Sequence, residues 1–133
     1  MREILFRGKR IFNSKWVEGF MYSQHFPLEF RDDFYIRCYD TDYLVLPETV
    51  GQYTGLTDRN GKRIFEGDIC KFKRFNDVHI GKVVFNVTTA SFIMWYQPIV
   101  GAYGEKATQK MLLSVCDNIE VVGNIHDNPE LLE

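Results

Sequence analysis

Cysteine is scarce in this chain of 133 residues. Cys38, Cys70 and Cys116 are odd in number, far apart and in no C-x-x-C pair. That usage argues against a disulfide framework and suits a reducing compartment. Histidine is equally sparse: His25, His79 and His126 share no ligand spacing, and none lies within a few residues of a cysteine. No metal centre and no cofactor is therefore expected. Long apolar runs are also missing. The longest, around Phe92-Ile93-Met94-Trp95-Tyr96, is far short of the ~20 residues that a membrane helix needs. The opening Met1-Arg2-Glu3-Ile4-Leu5-Phe6-Arg7 has no apolar stretch of signal-peptide length. The expectation is a cytoplasmic protein with no membrane partner. Phosphate-binding glycine loops and the G-x-S-x-G nucleophile elbow are absent as well. Cys116 adjoins Asp117, but neighbours on a strand point apart, so a buried structural thiol is the better reading. Glu66 and Asp68 lie two apart and would share a strand face. Such carboxylates more often satisfy backbone donors than perform acid–base work, and no enzyme is expected.

What is present is aromatic. Eleven Phe, seven Tyr and two Trp make 15% of the chain, and such side chains suit pleated, half-buried surfaces. Hydrophobic residues at 45% and charged residues at 26% are ordinary for a globular protein. One domain with one core is expected at this length.

Strand and turn signals alternate along the chain. Ile4 and Phe6, then Ile11-Phe12, flank Gly8; Asn13-Ser14 turns, and Trp16–Tyr22 follows as a strand. Residues 23–43 are less regular. Phe26, Phe30 and Phe34 fall four apart, which predicts one or two helical turns. Tyr43–Leu46 reads as a strand ending at Pro47, and Thr49–Thr54 as another. Asn60-Gly61 predicts a type I′ turn, because both central residues of that turn need positive φ. After Gly67-Asp68, Cys70 and Phe72 should face one way and Lys71 and Lys73 the other. Ile80–Phe85 and Ala90–Tyr96 form two more strands, and Pro98–Gly104 a loop. Met111–Leu113 and Glu120–Gly123 are short strands. Asn128-Pro129-Glu130-Leu131-Leu132 reads as one helical turn, capped by Asn128 with Pro129 first. The whole predicts a mainly β fold with little helix. A small bent sheet or SH3-like barrel would occupy the C-terminal half, with additional N-terminal strands packed against it. Within one domain spanning 1–133, the subregions would be 1–58, 59–127 and a terminal turn, 128–133. The string Gly-Lys-Arg-Ile-Phe occurs twice, at Gly8–Phe12 and Gly61–Phe65, as a turn-then-strand phrase and not as a structural repeat.

Two surfaces invite functional readings. Residues 59–82 carry Arg59, Lys62, Arg63, Lys71, Lys73, Arg74 and Lys82 against Glu66, Asp68 and Asp77, with Phe65, Phe72 and Phe75 interleaved. Bases and aromatics together suit single-stranded nucleic acid, with Lys71, Lys73, Arg74 and Lys82 as the contacts. Alternation equally places the rings in the core and leaves the lysines as a solvated face. The second surface is the aromatic segment 20–43. Phe26, Phe30, Phe34 and Tyr39 are candidates for a protein interface, or for a lid over the core. Beyond Lys110 there is no Lys or Arg, while Asp117, Glu120, Asp127, Glu130 and Glu133 are acidic. An acidic end and a basic middle could meet between subunits of a homo-oligomer or neutralise each other within one chain.

Glu48-Thr49-Val50-Gly51-Gln52-Tyr53-Thr54-Gly55-Leu56, then Asp58, Asn60-Gly61-Lys62 and Ile64-Phe65-Glu66-Gly67-Asp68-Ile69, closely resembles the YopX family. Ile4, Phe6-Arg7-Gly8-Lys9 and Trp16-Val17-Glu18-Gly19 match that family's opening. Val122-Gly123-Asn124-Ile125 and Asn128-Pro129-Glu130-Leu131-Leu132 match its close. Ser14 departs where a turn glycine is common, Cys70 departs where an aliphatic residue is usual, and residues 23–43 match least. The resemblance implies a protein encoded by bacterial phages and prophages. It carries no catalytic residue or cofactor with it. A non-enzymatic accessory protein acting through an as yet unidentified protein partner and through self-association is the leading expectation, with nucleic-acid binding as the alternative. Asp68, at the start of a strand, should accept backbone N–H bonds.

Overall fold

The computed structural model describes residues 3–74, 76–100, 106–113 and 116–132. The chain divides into two compact units, Met1–Gly55 and Leu56–Glu133. The fold is mainly β, as the aromatic content and alternation predict.

In the first unit β1 (Phe6–Lys9), β2 (Trp16–Phe26), β3 (Arg31–Cys38) and β4 (Thr41–Val45) run as an antiparallel meander. The strand β5 (Gly51–Thr57) begins here, beside β1, giving the order β4-β3-β2-β1-β5. Alternation decides the faces. Val17, Ile36 and Val45 are buried together, with Phe6, Met21, Phe34, Cys38, Tyr43 and Val50 packed against them. The registers Met21↔Ile36 and Phe34↔Val45 make these cross-strand pairs, the unit of sheet stabilisation. The sheet curls back on itself. Arg10 bridges Val45, Leu46 N donates to Lys9 O at 2.9 Å, and Ile11 N donates to Leu44 O at 3.1 Å.

The predicted helical turns in 23–43 do not form. Phe26 pairs with Arg31 and Ser23 with Phe34 across a hairpin. Its turn is closed by Glu29 N to Phe26 O at 3.2 Å and Phe30 N to Pro27 O at 3.4 Å. The four-residue spacing of the phenylalanines therefore counts the length of a turn and not the pitch of a helix. Pro27 lacks the N–H that a helix interior needs.

In the second unit β6 (Arg63–Phe65), β7 (Asp68–Arg74), β8 (Asp77–Asn86), β9 (Ser91–Val100), β10 (Lys106–Leu112) and β11 (Asp117–Asn124) follow. Five of them form an antiparallel sheet in the order β10-β9-β8-β7-β11. Ile64, Cys70, Phe72, Val83, Met94, Tyr96, Leu113 and Ile119 make its core, and Phe72 meets Tyr96 edge to face at 5.0 Å. Cys70 and Phe72 are buried while Lys71 and Lys73 are exposed, as alternation predicts. Among the described residues the sheet stays open and no barrel closes.

Three local readings need correction. First, the turn at Asn60-Gly61 is not type I′: Gly61 has φ of +81° but Asn60 is not left-handed. Gly61 N donates to Asp58 O at 3.0 Å and Asp58 N to Lys62 O at 2.7 Å, a tight turn followed by a left-handed glycine. Second, β9 runs through Pro98 to Val100 where a loop is predicted; residues 101–104 of that loop lie outside the described residues, as does Phe75. Tyr96 pairs with Gln109 and Ile99 with Ala107, so two residues of β9 oppose Thr108 alone. A proline is tolerated at such a bulge because no ladder bond is demanded of it. Third, Glu66 lies in the turn before β7 and so shares no strand face with Asp68. The C-terminal turn Pro129–Leu132 is a short 3-10 helix. The side-chain oxygen of Asn128 accepts from Asn124 N at 3.3 Å and does not cap that turn.

Candidate interaction surfaces

The acidic residues near the Asn60-Gly61 turn serve the backbone. Asp58 is buried, and its Oδ1 accepts from Asn60 N at 2.8 Å and Lys62 N at 2.9 Å, while Oδ2 accepts from Val121 N at 3.0 Å. Arg59 N donates to Ile119 O at 2.8 Å. The turn thus caps the outer edge of β11 and protects an edge that would otherwise pair with other strands. Asp68 is fully buried and its Oδ2 accepts from Phe65 N at 2.8 Å. Burial pushes the Cys116 thiol up to about 11; Arg74 pulls it down and Asp117 pushes it further up. The thiol is therefore protonated at neutral pH, which is the state of an inert cysteine. Among the described residues no group of three or more His, Cys, Asp or Glu side chains is placed to hold a metal ion.

The basic segment is spread over β7 and β8. Lys71 and Lys73 are exposed on one face of β7; Lys71 stands opposite Glu120 of β11, and Lys73 opposite Asp117. The acidic C-terminal stretch and part of the basic middle are thus register partners within one chain. Lys82 lies opposite Trp95, its Nζ 4.1 Å from the ring centroid, and its stem is half-buried. Arg74 closes β7 opposite Asp77. A shallow open cavity of about 590 Å³ lies where Lys73, Asn76, Asp117 and Asn118 meet.

The aromatic candidates separate. Phe34 faces inward and packs on the first unit's core. Phe26 is half-buried under the Arg31 guanidinium at 4.7 Å. Phe30 and Tyr39 sit on turns with positive φ and are 93% and 96% exposed. Leu28 joins Phe30 at the β2–β3 turn. The outer face of the same hairpin carries exposed Phe20, and Tyr22 stacked on Tyr35 at 5.1 Å. Beside them Arg37 is paired to Asp42 at 3.0 Å through both carboxylate oxygens.

One exposed element escaped the sequence reading. The β1–β2 turn presents Ile11 and Phe12, the latter 85% exposed. In a meander the β1–β2 and β3–β4 turns fall at the same end, so Phe12 and Tyr39 share an end of the first sheet. Arg10 packs over Tyr43 of β4 at 4.3 Å and fixes the turn there. The signal was in the sequence: between Glu3 and Glu18 the chain has Arg7, Lys9, Arg10 and Lys15 and no acid.

Comparison with known proteins follows the fold. A solved structure, the crystal structure of protein EF1440 from Enterococcus faecalis, is 21% identical with a TM-score of 0.56, and the match covers 100% of both chains. At that identity the likeness speaks for the fold alone. No curated protein matches. No helix among the described residues is long and apolar enough to cross a membrane. The family model described as YopX protein matches residues 6–133, nearly the full chain, and the chain belongs to the YopX family.

Proposed function

We propose that this is a non-enzymatic accessory protein of prophage origin, working in the bacterial cytoplasm through protein–protein contacts and associating with itself. One observation carries the reading. Large apolar side chains stand on turn tips of the first unit, with Phe12, Leu28, Phe30 and Tyr39 each at least 85% exposed. Exposed aromatics flanked by arginine are the residue types that dominate interface hot spots. Light scattering of the purified protein across a concentration series tests it. Masses that rise above one chain support the proposal; a single-chain mass at every concentration removes self-association.

Nucleic-acid binding by Lys71, Lys73, Arg74 and Lys82 is the second reading, favoured by the exposed pair on β7. Glu120 and Asp117 directly across from that pair offset its attraction for phosphate, since like-signed charge near a phosphate repels it. Fluorescence anisotropy with labelled single-stranded DNA, duplex DNA and RNA decides between the readings. The contact proposal expects no saturable binding at low salt. Saturable binding that weakens steeply with salt, and that Lys71→Glu with Lys73→Glu abolishes, would move the site to β7.

A further inference from the structure

The string Gly-Lys-Arg-Ile-Phe meets two fates. At Gly61–Phe65 its Ile64 and Phe65 are fully buried; at Gly8–Phe12 the equivalent Ile11 and Phe12 lie in solvent. Nothing in the five residues distinguishes the copies, so the difference is one of surroundings. The exposed copy is an apolar pair on a turn, at the same end of the first sheet as Tyr39, with Arg10 and Lys15 next to it and no acid between Glu3 and Glu18.

A surface of opposite character exists on the same chain. From residue 111 to the end there are five acids and no Lys or Arg; Asp117 and Glu120 stand opposite Lys73 and Lys71 of β7, which leaves Asp127, Glu130 and Glu133 at the C-terminus. The C-terminal turn Pro129–Leu132 folds back on β11, where the Asn128 side chain lies over Gly123. Asp127, Glu130 and Leu132 are exposed there. An apolar turn with basic neighbours thus has a counterpart in an acidic turn that exposes a leucine. Two basic turns would repel one another, as would two acidic ones, so a two-fold contact of like with like is disfavoured.

We infer that the β1–β2 turn of one copy, Arg10–Lys15, docks on the acidic C-terminal turn, Pro129–Leu132, of a second copy. The contact is head to tail, so a pair of chains keeps one free turn and one free acidic face. Such heterologous contacts build rings or open filaments and not closed dimers. The inference rests on the self-association proposed above and names its surfaces.

Two variants and their mixture test it. Arg10→Glu with Phe12→Ser disables the turn, and Glu130→Lys with Leu132→Ser disables the acidic face. Light scattering should show the unsubstituted chain growing in mass with concentration and each variant alone remaining a single chain, while an equimolar mixture stops at two chains. In that mixture only one pairing of intact surfaces remains. Assembly by either variant alone at the unsubstituted level, or a mixture that stays at one-chain mass, overturns the docking while self-association stands. A single-chain mass for the unsubstituted protein overturns both. The substituted residues lie at exposed or partly exposed turn positions, and circular dichroism checks that the fold is kept. Should the first variant unfold, Lys15→Glu alone serves in its place, with association weakened at least tenfold as the expected result.

Discussion

Asp58 joins chain segments 63 residues apart through one carboxylate. Burial on its own would raise its pKa. The N–H groups of Val121, Lys62 and Asn60 outweigh that, with help from the Lys62 charge, and hold it below the ordinary carboxylate value. A depressed folded-state pKa adds stability that is present above the unfolded value and is lost as pH falls through the folded one. Asp58→Asn keeps one acceptor oxygen and should cost about 1–3 kcal/mol at pH 7. Urea unfolding at pH 7 and at pH 3 checks this: the gap between the two proteins should narrow below about pH 4. An unchanged gap would mean that the carboxylate's charge is not what the turn uses. The role of Asp68 was legible beforehand, because its donor lies three residues away. That of Asp58 was not, since its partner Val121 is fixed only by the pairing of distant strands.

At the scale of elements, glycines separate space from conformation. A Cβ on Gly19 would sit 2.1 Å from the backbone oxygen of Arg37, whereas one on Gly61 meets nothing within 4 Å but has φ of +81°. Gly19→Ala forces β3 away from β2 and should cost ~3 kcal/mol. Gly61→Ala pays only for the left-handed backbone and should cost about 1–2 kcal/mol. Thermal unfolding of both variants checks the order, and a larger loss at Gly61 would contradict it. The later part of β7, Cys70 to Lys73, was readable because burial there repeats every second residue. The β2–β3 hairpin was misread because its outer face is more aromatic than its inner one: Phe20, Tyr22 and Phe26 face out, and Met21 and Phe34 face in. Aromatic content then no longer marks a side, and the turn length imitated a helical spacing. Pro98 misled for a related reason. Its bulge belongs to the pairing with β10, which the local sequence does not contain.

Over the whole molecule, composition and alternation sufficed for a mainly β fold, yet could not say that the five-stranded sheet stays open. Closure would require the edge strands β10 and β11 to pair, and among the described residues they lie at opposite ends of the order because β11 adds beside β7, across three intervening strands in the chain. The candidate surfaces divided in the same way. Exposure of Lys71 and Lys73 followed from period-two alternation. The carboxylates facing them followed only from the β7–β11 register. Phe30 and Tyr39 were recognised as surface candidates from composition, but their separation from Phe26 and Phe34 required the hairpin.

The pentapeptide Gly-Lys-Arg-Ile-Phe has one more consequence. An antibody that grips the Ile-Phe pair of that string would find a single epitope on the native chain, at Ile11 and Phe12, because Ile64 and Phe65 of the other copy are buried. Denaturation would reveal the second epitope, so antibody bound beyond one per chain would count the chains in which that segment has unfolded.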